Sequence, residues 1–112
     1  MKRIWNAFIY SLQGIASAWR DEPAFRQEVI LAVVMIPAAF YLAPDKISLI
    51  LMIGSVLLVL ALELLNTAIE ATVNHISTEW AALAKKAKDT ASAAVLVGLI
   101  NVGLVWAIIL LP

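Results

Sequence analysis

Hydrophobic positions along this chain come in two periodicities, one amphipathic and one continuous. From the start, Trp5, Phe8, Ile9, Leu12, Ile15 and Trp19 recur at helical spacing on one face, with Asn6, Gln13, Ser17 and Arg20 opposite. That pattern predicts an amphipathic helix over about residues 4–20, with tryptophan near both ends, suited to lying in a membrane interface. Beyond it the polar positions nearly vanish from three long stretches. A hydrocarbon core of about 30 Å needs roughly 20 helical residues. The run VILAVVMIPAAFYLA spans residues 29–43 and is too short alone, so its helix begins earlier and spans residues 25–43. The second span is predicted over residues 47–72, and its first sixteen positions, 47–62, carry no charge. The third covers residues 90–111, with Asn101 as its one strongly polar interior residue, suited to a hydrogen bond between helices. Pro37 falls inside the first span, where neighbouring helices tolerate it, and APDK makes a tight turn before the second.

These elements make an all-α membrane protein, with three transmembrane helices and an N-terminal interfacial helix forming a single domain over residues 1–112. Composition agrees: 63% of residues are hydrophobic and 14% charged, far too little polar surface for a soluble domain of this length. Cysteine is absent and histidine occurs once, at His75, which removes disulfides, thiol catalysis and His/Cys zinc sites. The net charge of zero gives no nucleic-acid signal. The first residues do not resemble a cleaved signal peptide.

Charge distribution sets the expected orientation. Lys2, Arg3, Arg20 and Arg26 precede the first span, Lys85, Lys86 and Lys88 separate the second from the third, and Lys46 alone lies in the other loop. Seven against one places the N-terminus and the second loop in the cytoplasm. Lys85 and Lys86 are read as topological or headgroup charges, and Trp5, Trp19, Trp80 and Trp106 as interface anchors. Ala94 and Gly98, four apart, suit close helix packing.

The candidate chemistry lies at that cytoplasmic boundary. Glu63, Asn66 and Glu70 stand at i, i+3 and i+7 and so share one helix face, where the apolar second span meets water. An unpaired charge at such a depth costs a few kcal/mol, so the default inference is a site. DEPAFRQE brings Asp21, Glu22 and Glu28 to the same side, and KKAKDTAS brings three lysines and Asp89, the latter expected at a helix start. Carboxylates are natural Mg²⁺ ligands and lysines offset phosphate charge, so the pattern fits phosphoryl transfer at a membrane surface. Neither G-x-x-x-x-G-K-[ST] nor G-x-G-x-x-G occurs, so no P-loop or protein-kinase nucleotide site is indicated.

The segments EPAFRQE, LELLNTAIEATVN and AKDTASAAVL resemble the signatures of the prokaryotic diacylglycerol kinase family, in matching order and across essentially the whole chain. The resemblance implies a homotrimer of the bacterial cytoplasmic membrane, with active sites shared between subunits. It implies phosphorylation of a lipid alcohol by ATP with Mg²⁺, with diacylglycerol as the first reading and undecaprenol as the alternative. Glu63 matches the family's catalytic base, and Asn66 would orient groups beside it. Glu22 and Glu70 match the carboxylates that hold the metal. Lys88 and Asp89 match the nucleotide-contacting pair, and Arg3, Tyr10 and Glu79 fall at similar nucleotide positions. Glu28, Ser92 and Trp106 match lipid-side or structural positions. Two departures stand out: Asn74 and His75 replace a common Asp-Arg pair, and the loop STEWAAL carries Trp80 and Ala81 where a histidine is common. A small proton-coupled exporter is the competing class, but it would show four spans and a carboxylate deep in the bilayer. A structural subunit without activity leaves the clustered acids without a purpose.

Overall fold

The computed structural model describes all 112 residues as four helices joined by short connections. They are α1 (Lys2–Asp21), α2 (Pro23–Leu42), α3 (Lys46–Ile76) and α4 (Ala82–Leu110). The last three are long and apolar enough to cross a membrane. The all-α architecture with three spanning helices and one N-terminal surface helix is therefore the one the apolar pattern predicts.

Local chemistry accounts for the helix ends. Pro23 opens α2 at a position where its missing N–H costs that helix no hydrogen bond of its own. Asp45 caps α3: its carboxylate accepts the Ser48 N–H at 2.7 Å. That backbone donor, with the Ser48 side chain, holds the Asp45 carboxyl below the usual carboxylate range. α3 continues to Ile76 rather than stopping near residue 72, and α4 begins at Ala82 rather than near residue 90. Ala, Leu and Lys dominate residues 82–88, and these are strong helix formers that need no bilayer. Asp89 is thus not a helix cap. It sits two turns inside α4, paired with Lys85 at 2.5 Å.

The core runs where α3 lies between α2 and α4. Phe25, Ala32 and Ala39 of α2 are buried with Met52, Ser55, Val56 and Val59 of α3 and Ala91, Val95 and Gly98 of α4. The close-packing stripe on α4 is Ala91, Val95 and Gly98; Ala94 is exposed. A Cβ built on Gly98 would meet Leu62 Cδ1 at 2.8 Å and Val59 Cγ2 at 3.6 Å. Gly98→Val should therefore destabilise the fold by about 1–3 kcal/mol by overpacking. Gly98→Ala should cost less, because the Leu62 tip can turn away. Denaturation in detergent micelles measures both, and equal stability of Gly98→Val and the parent would remove the close contact.

Trp106 ties the far half of this interface: its indole N–H donates to the Met52 carbonyl oxygen at 3.2 Å, beside the Ser55 hydroxyl, which donates to the same oxygen at 2.8 Å. Asn101 is half-buried and makes no hydrogen bond to another helix of this chain, so the interhelical bond expected of it is not formed here. Only 13 of the 112 residues are buried, so most of the apolar surface must meet lipid or other protein. The apolar face of α1 is part of that surface, with Trp5, Phe8, Leu12, Ile15 and Trp19 all exposed and the Trp5 and Phe8 rings 6.0 Å apart.

Candidate active site

The buried face of α3 changes character along its length. Met52, Ser55, Val56 and Val59 continue as Glu63 and Asn66, which remain buried at 5% and 9% exposure. A carboxyl and an amide have thus replaced aliphatic side chains on a face packed against neighbouring helices. Burial of such groups is costly unless polar partners converge on them. Asn66 of its own helix and Glu28 of α2 face Glu63 as such partners, whereas Glu22 from the α1–α2 junction and Glu70 bring like charge to the same place, which calls for a compensating cation. Asn66 Nδ2 donates to Glu70 Oε1 at 3.4 Å, a long bond that holds the amide loosely. Glu28 Oε2 and Asn66 Oδ1 are buried with no hydrogen-bond partner. Orphaned oxygens in a native site call for a ligand, ion or water.

A second constellation adjoins the first. α3 and α4 extend as a helical hairpin past the apolar spans, and the loop between them folds over a cavity of about 310 Å³. Its wall on α3 is Val73, one turn beyond Glu70, and Glu79, Trp80, Ala81, Lys85, Lys88 and Asp89 line the rest. The loop is pinned by the Glu79 N–H, which donates to Ser77 Oγ at 3.0 Å. Lys85 belongs to this cavity, a placement that its reading as a topological charge does not anticipate. Its exposed pair with Asp89 contributes little stability and can exchange for a bound anion. Trp80 and Ala81 line the cavity, and no imidazole does.

Glu22, Glu28, Glu63, Asn66 and Glu70 are thus brought together, as are Glu79, Lys88 and Asp89. Ser92 is exposed on α4, one turn beyond Lys88. Arg3 and Tyr10 are exposed on α1 and make no side-chain hydrogen bond. Trp106 lies apart: Met52, its partner, precedes Glu63 by eleven residues, about 16 Å along α3. Arg26 is the residue that charge counting undervalues, since it reads there as an orientation signal. Its Nη1 donates to the Trp19 and Arg20 carbonyl oxygens at 2.8 and 2.9 Å, closing the elbow that carries Glu22.

Metal binding suits the acidic group on chemical grounds. The donors are carboxylate and amide oxygens, the hard ligands that Mg²⁺ prefers, and two of them lack partners. No three acids of one chain stand close enough to enclose an ion unaided. Mg²⁺ typically takes one or two carboxylates and completes its shell with phosphate oxygens and water, so this donor set fits.

The sequence model of the prokaryotic diacylglycerol kinase family matches residues 9–110. The chain belongs to that family. It is 54% identical over 101 residues to a diacylglycerol kinase of Haemophilus influenzae, covering 90% of this chain and 86% of the relative. It is 52% identical over 111 residues to one from Pseudomonas aeruginosa, covering 99% of this chain and 90% of the relative. Against that of Escherichia coli strain K12 it is 44% identical over 108 residues, covering 96% and 88%. Family membership and three spanning helices make this chain a multi-pass membrane lipid kinase, a transferase.

Proposed function

We propose that this kinase moves the γ-phosphoryl group of ATP onto diacylglycerol, forming phosphatidic acid, with Mg²⁺ as the required metal. The observation that carries the reading is the buried Glu63 and Asn66 on α3, faced by Glu22, Glu28 and Glu70, with Glu70 in turn about one helical turn from a cavity lined by lysines. Glu63 serves as the general base. A lipid hydroxyl is a poor nucleophile until its proton is removed in or near the transition state. The hydroxyl oxygen attacks the γ-phosphorus, its proton passes to Glu63, and the bond to the β,γ-bridging oxygen breaks to release ADP. Asn66 orients the groups beside the base. Glu22 and Glu70 hold the metal, which when bound neutralises charge on the phosphate oxygens. Lys88 and Asp89 contact the nucleotide with Glu79, while Arg3 and Tyr10 approach it from the surface helix. Glu28 and Ser92 serve the lipid side. Trp106 keeps a structural part through its bond to Met52.

The same reading places the N-terminus in the cytoplasm of a bacterium, because seven of the eight Lys and Arg residues lie at one end of the spans. It also takes the working unit to be a homotrimer with shared sites. The extensive exposed apolar surface and the incomplete metal set of a single chain support that assembly. Diacylglycerol is preferred to undecaprenol because the named relatives are diacylglycerol kinases.

The test uses purified protein in phospholipid vesicles with γ-labelled ATP and Mg²⁺, given diacylglycerol or undecaprenol separately. Label is expected in phosphatidic acid. Label confined to undecaprenyl phosphate would replace the substrate, and label in neither lipid would overturn the reading.

A further inference from the structure

We propose that Arg26 is a positioning residue that fixes the α1–α2 elbow and thereby aims Glu22 at Glu63. The need for it follows from the chain. α1 ends at Asp21, and its last carbonyls have no partners within their own helix. In a continuous helix the N–H of residue 23 would bond the Trp19 oxygen and that of residue 24 the Arg20 oxygen. Residue 23 is Pro23, which has no N–H, and Ala24 already belongs to the next helix. Arg26 supplies both missing donors from one nitrogen, at 2.8 Å to Trp19 and 2.9 Å to Arg20. A cation there also complements the negative end of the α1 dipole.

Arg26 holds the elbow a second time through its backbone, whose N–H donates to the Glu22 carbonyl at 3.2 Å. Glu22 is the single residue between the helices, extended at φ −118° and ψ 102°, with its own N–H bonded to the Ala18 carbonyl at 2.9 Å. Both peptide groups flanking the Glu22 side chain are therefore restrained, and the side chain of Arg26 closes the third side. Little else fixes α1, since Ala18 is its one buried residue. Without the guanidinium, the surface helix is free to swing about Glu22. The direction of the carboxylate is then lost even though the carboxylate remains. This aiming role rests on the metal-binding part proposed above for Glu22, whereas the restraint of the elbow does not.

The chain has no cysteine, so paired spin labels can be placed without background. Gln13→Cys on α1 and Thr72→Cys on α3, both exposed in the parent, report the elbow when labelled chains are diluted with unlabelled ones. The parent should give one narrow distance. Arg26→Met should broaden it and lower lipid phosphorylation at saturating ATP at least tenfold. Arg26→Lys, which keeps a donor and a charge but loses the rigid fork, should recover part of both. A narrow distance in Arg26→Met with activity lost would overturn the proposal, showing direct contact with substrate instead. A broad distance with full activity would overturn it as well. Were the parent to phosphorylate no lipid, the kinase reading would fail on its own, and unchanged distances in Arg26→Met would still be needed to refute the restraint.

Discussion

Glu63→Gln should reduce turnover by at least about a hundredfold while leaving nucleotide affinity within a few fold, the range expected for loss of a general base. The substitution is nearly isosteric. Glu63 is 5% exposed, so a smaller residue would open a hole in the α2–α3 interface and confuse lost chemistry with lost packing. Glutamine keeps the volume and an acceptor for Asn66, and it removes one property, the capacity to take a proton. The cavity lined by Glu79, Lys85, Lys88 and Asp89 lies beyond the end of the apolar span and does not include Glu63. ATP affinity measured by calorimetry should therefore persist where steady-state phosphorylation collapses. Near-normal turnover in Glu63→Gln would remove that carboxylate from proton transfer and leave it a packing role.

The fold was legible because lipid-facing helices announce themselves by composition. Three apolar stretches and one amphipathic face yielded the element count and type. Their ends were less legible. Hydropathy marks where a helix leaves hydrocarbon, not where its hydrogen bonding stops, so the polar first turns of α4 from Ala82 were invisible to it. That error turned Asp89 into an expected cap when it is a mid-helix partner of Lys85.

The acidic face was readable at 100° per residue, since Glu63, Asn66 and Glu70 follow each other on one stripe without any tertiary information. What sequence could not supply was phase between helices. Ala94 and Gly98 have the spacing of a packing pair, yet the face that meets α3 is turned to Ala91, Val95 and Gly98. Arg26 was similarly hidden, because its partners are backbone carbonyls, which have no signature in side-chain patterns. One signal was present: a proline just after a helix end leaves a carbonyl without its donor, and an arginine three residues on can reach back.

A different signature is expected of Glu70→Gln, and the contrast with Glu63 is what makes the two roles separable. Glu70 is half-buried, and one of its oxygens accepts a 3.4 Å bond from Asn66, which a glutamine oxygen can also accept. Local packing should therefore survive. The substitution removes a unit negative charge from a place where Glu22 and Glu63 already gather charge of the same sign. Such crowding is tolerable where a divalent cation compensates for it. If Glu70 is a ligand, activity at fixed millimolar metal should fall by tens of fold, and the metal concentration for half-maximal rate should rise at least tenfold. Excess metal should then restore much of the lost rate, which it cannot do for Glu63→Gln. Paramagnetic Mn²⁺ bound with a non-hydrolysable ATP analogue offers a readout independent of turnover, and its affinity should drop in the same variant. If the Lys88 ammonium meets phosphate rather than cation, Lys88→Met should by comparison raise the ATP concentration required and leave the metal requirement nearly unchanged. An unshifted metal requirement in Glu70→Gln, with turnover nevertheless lost, would assign that carboxylate to holding Asn66 against the base.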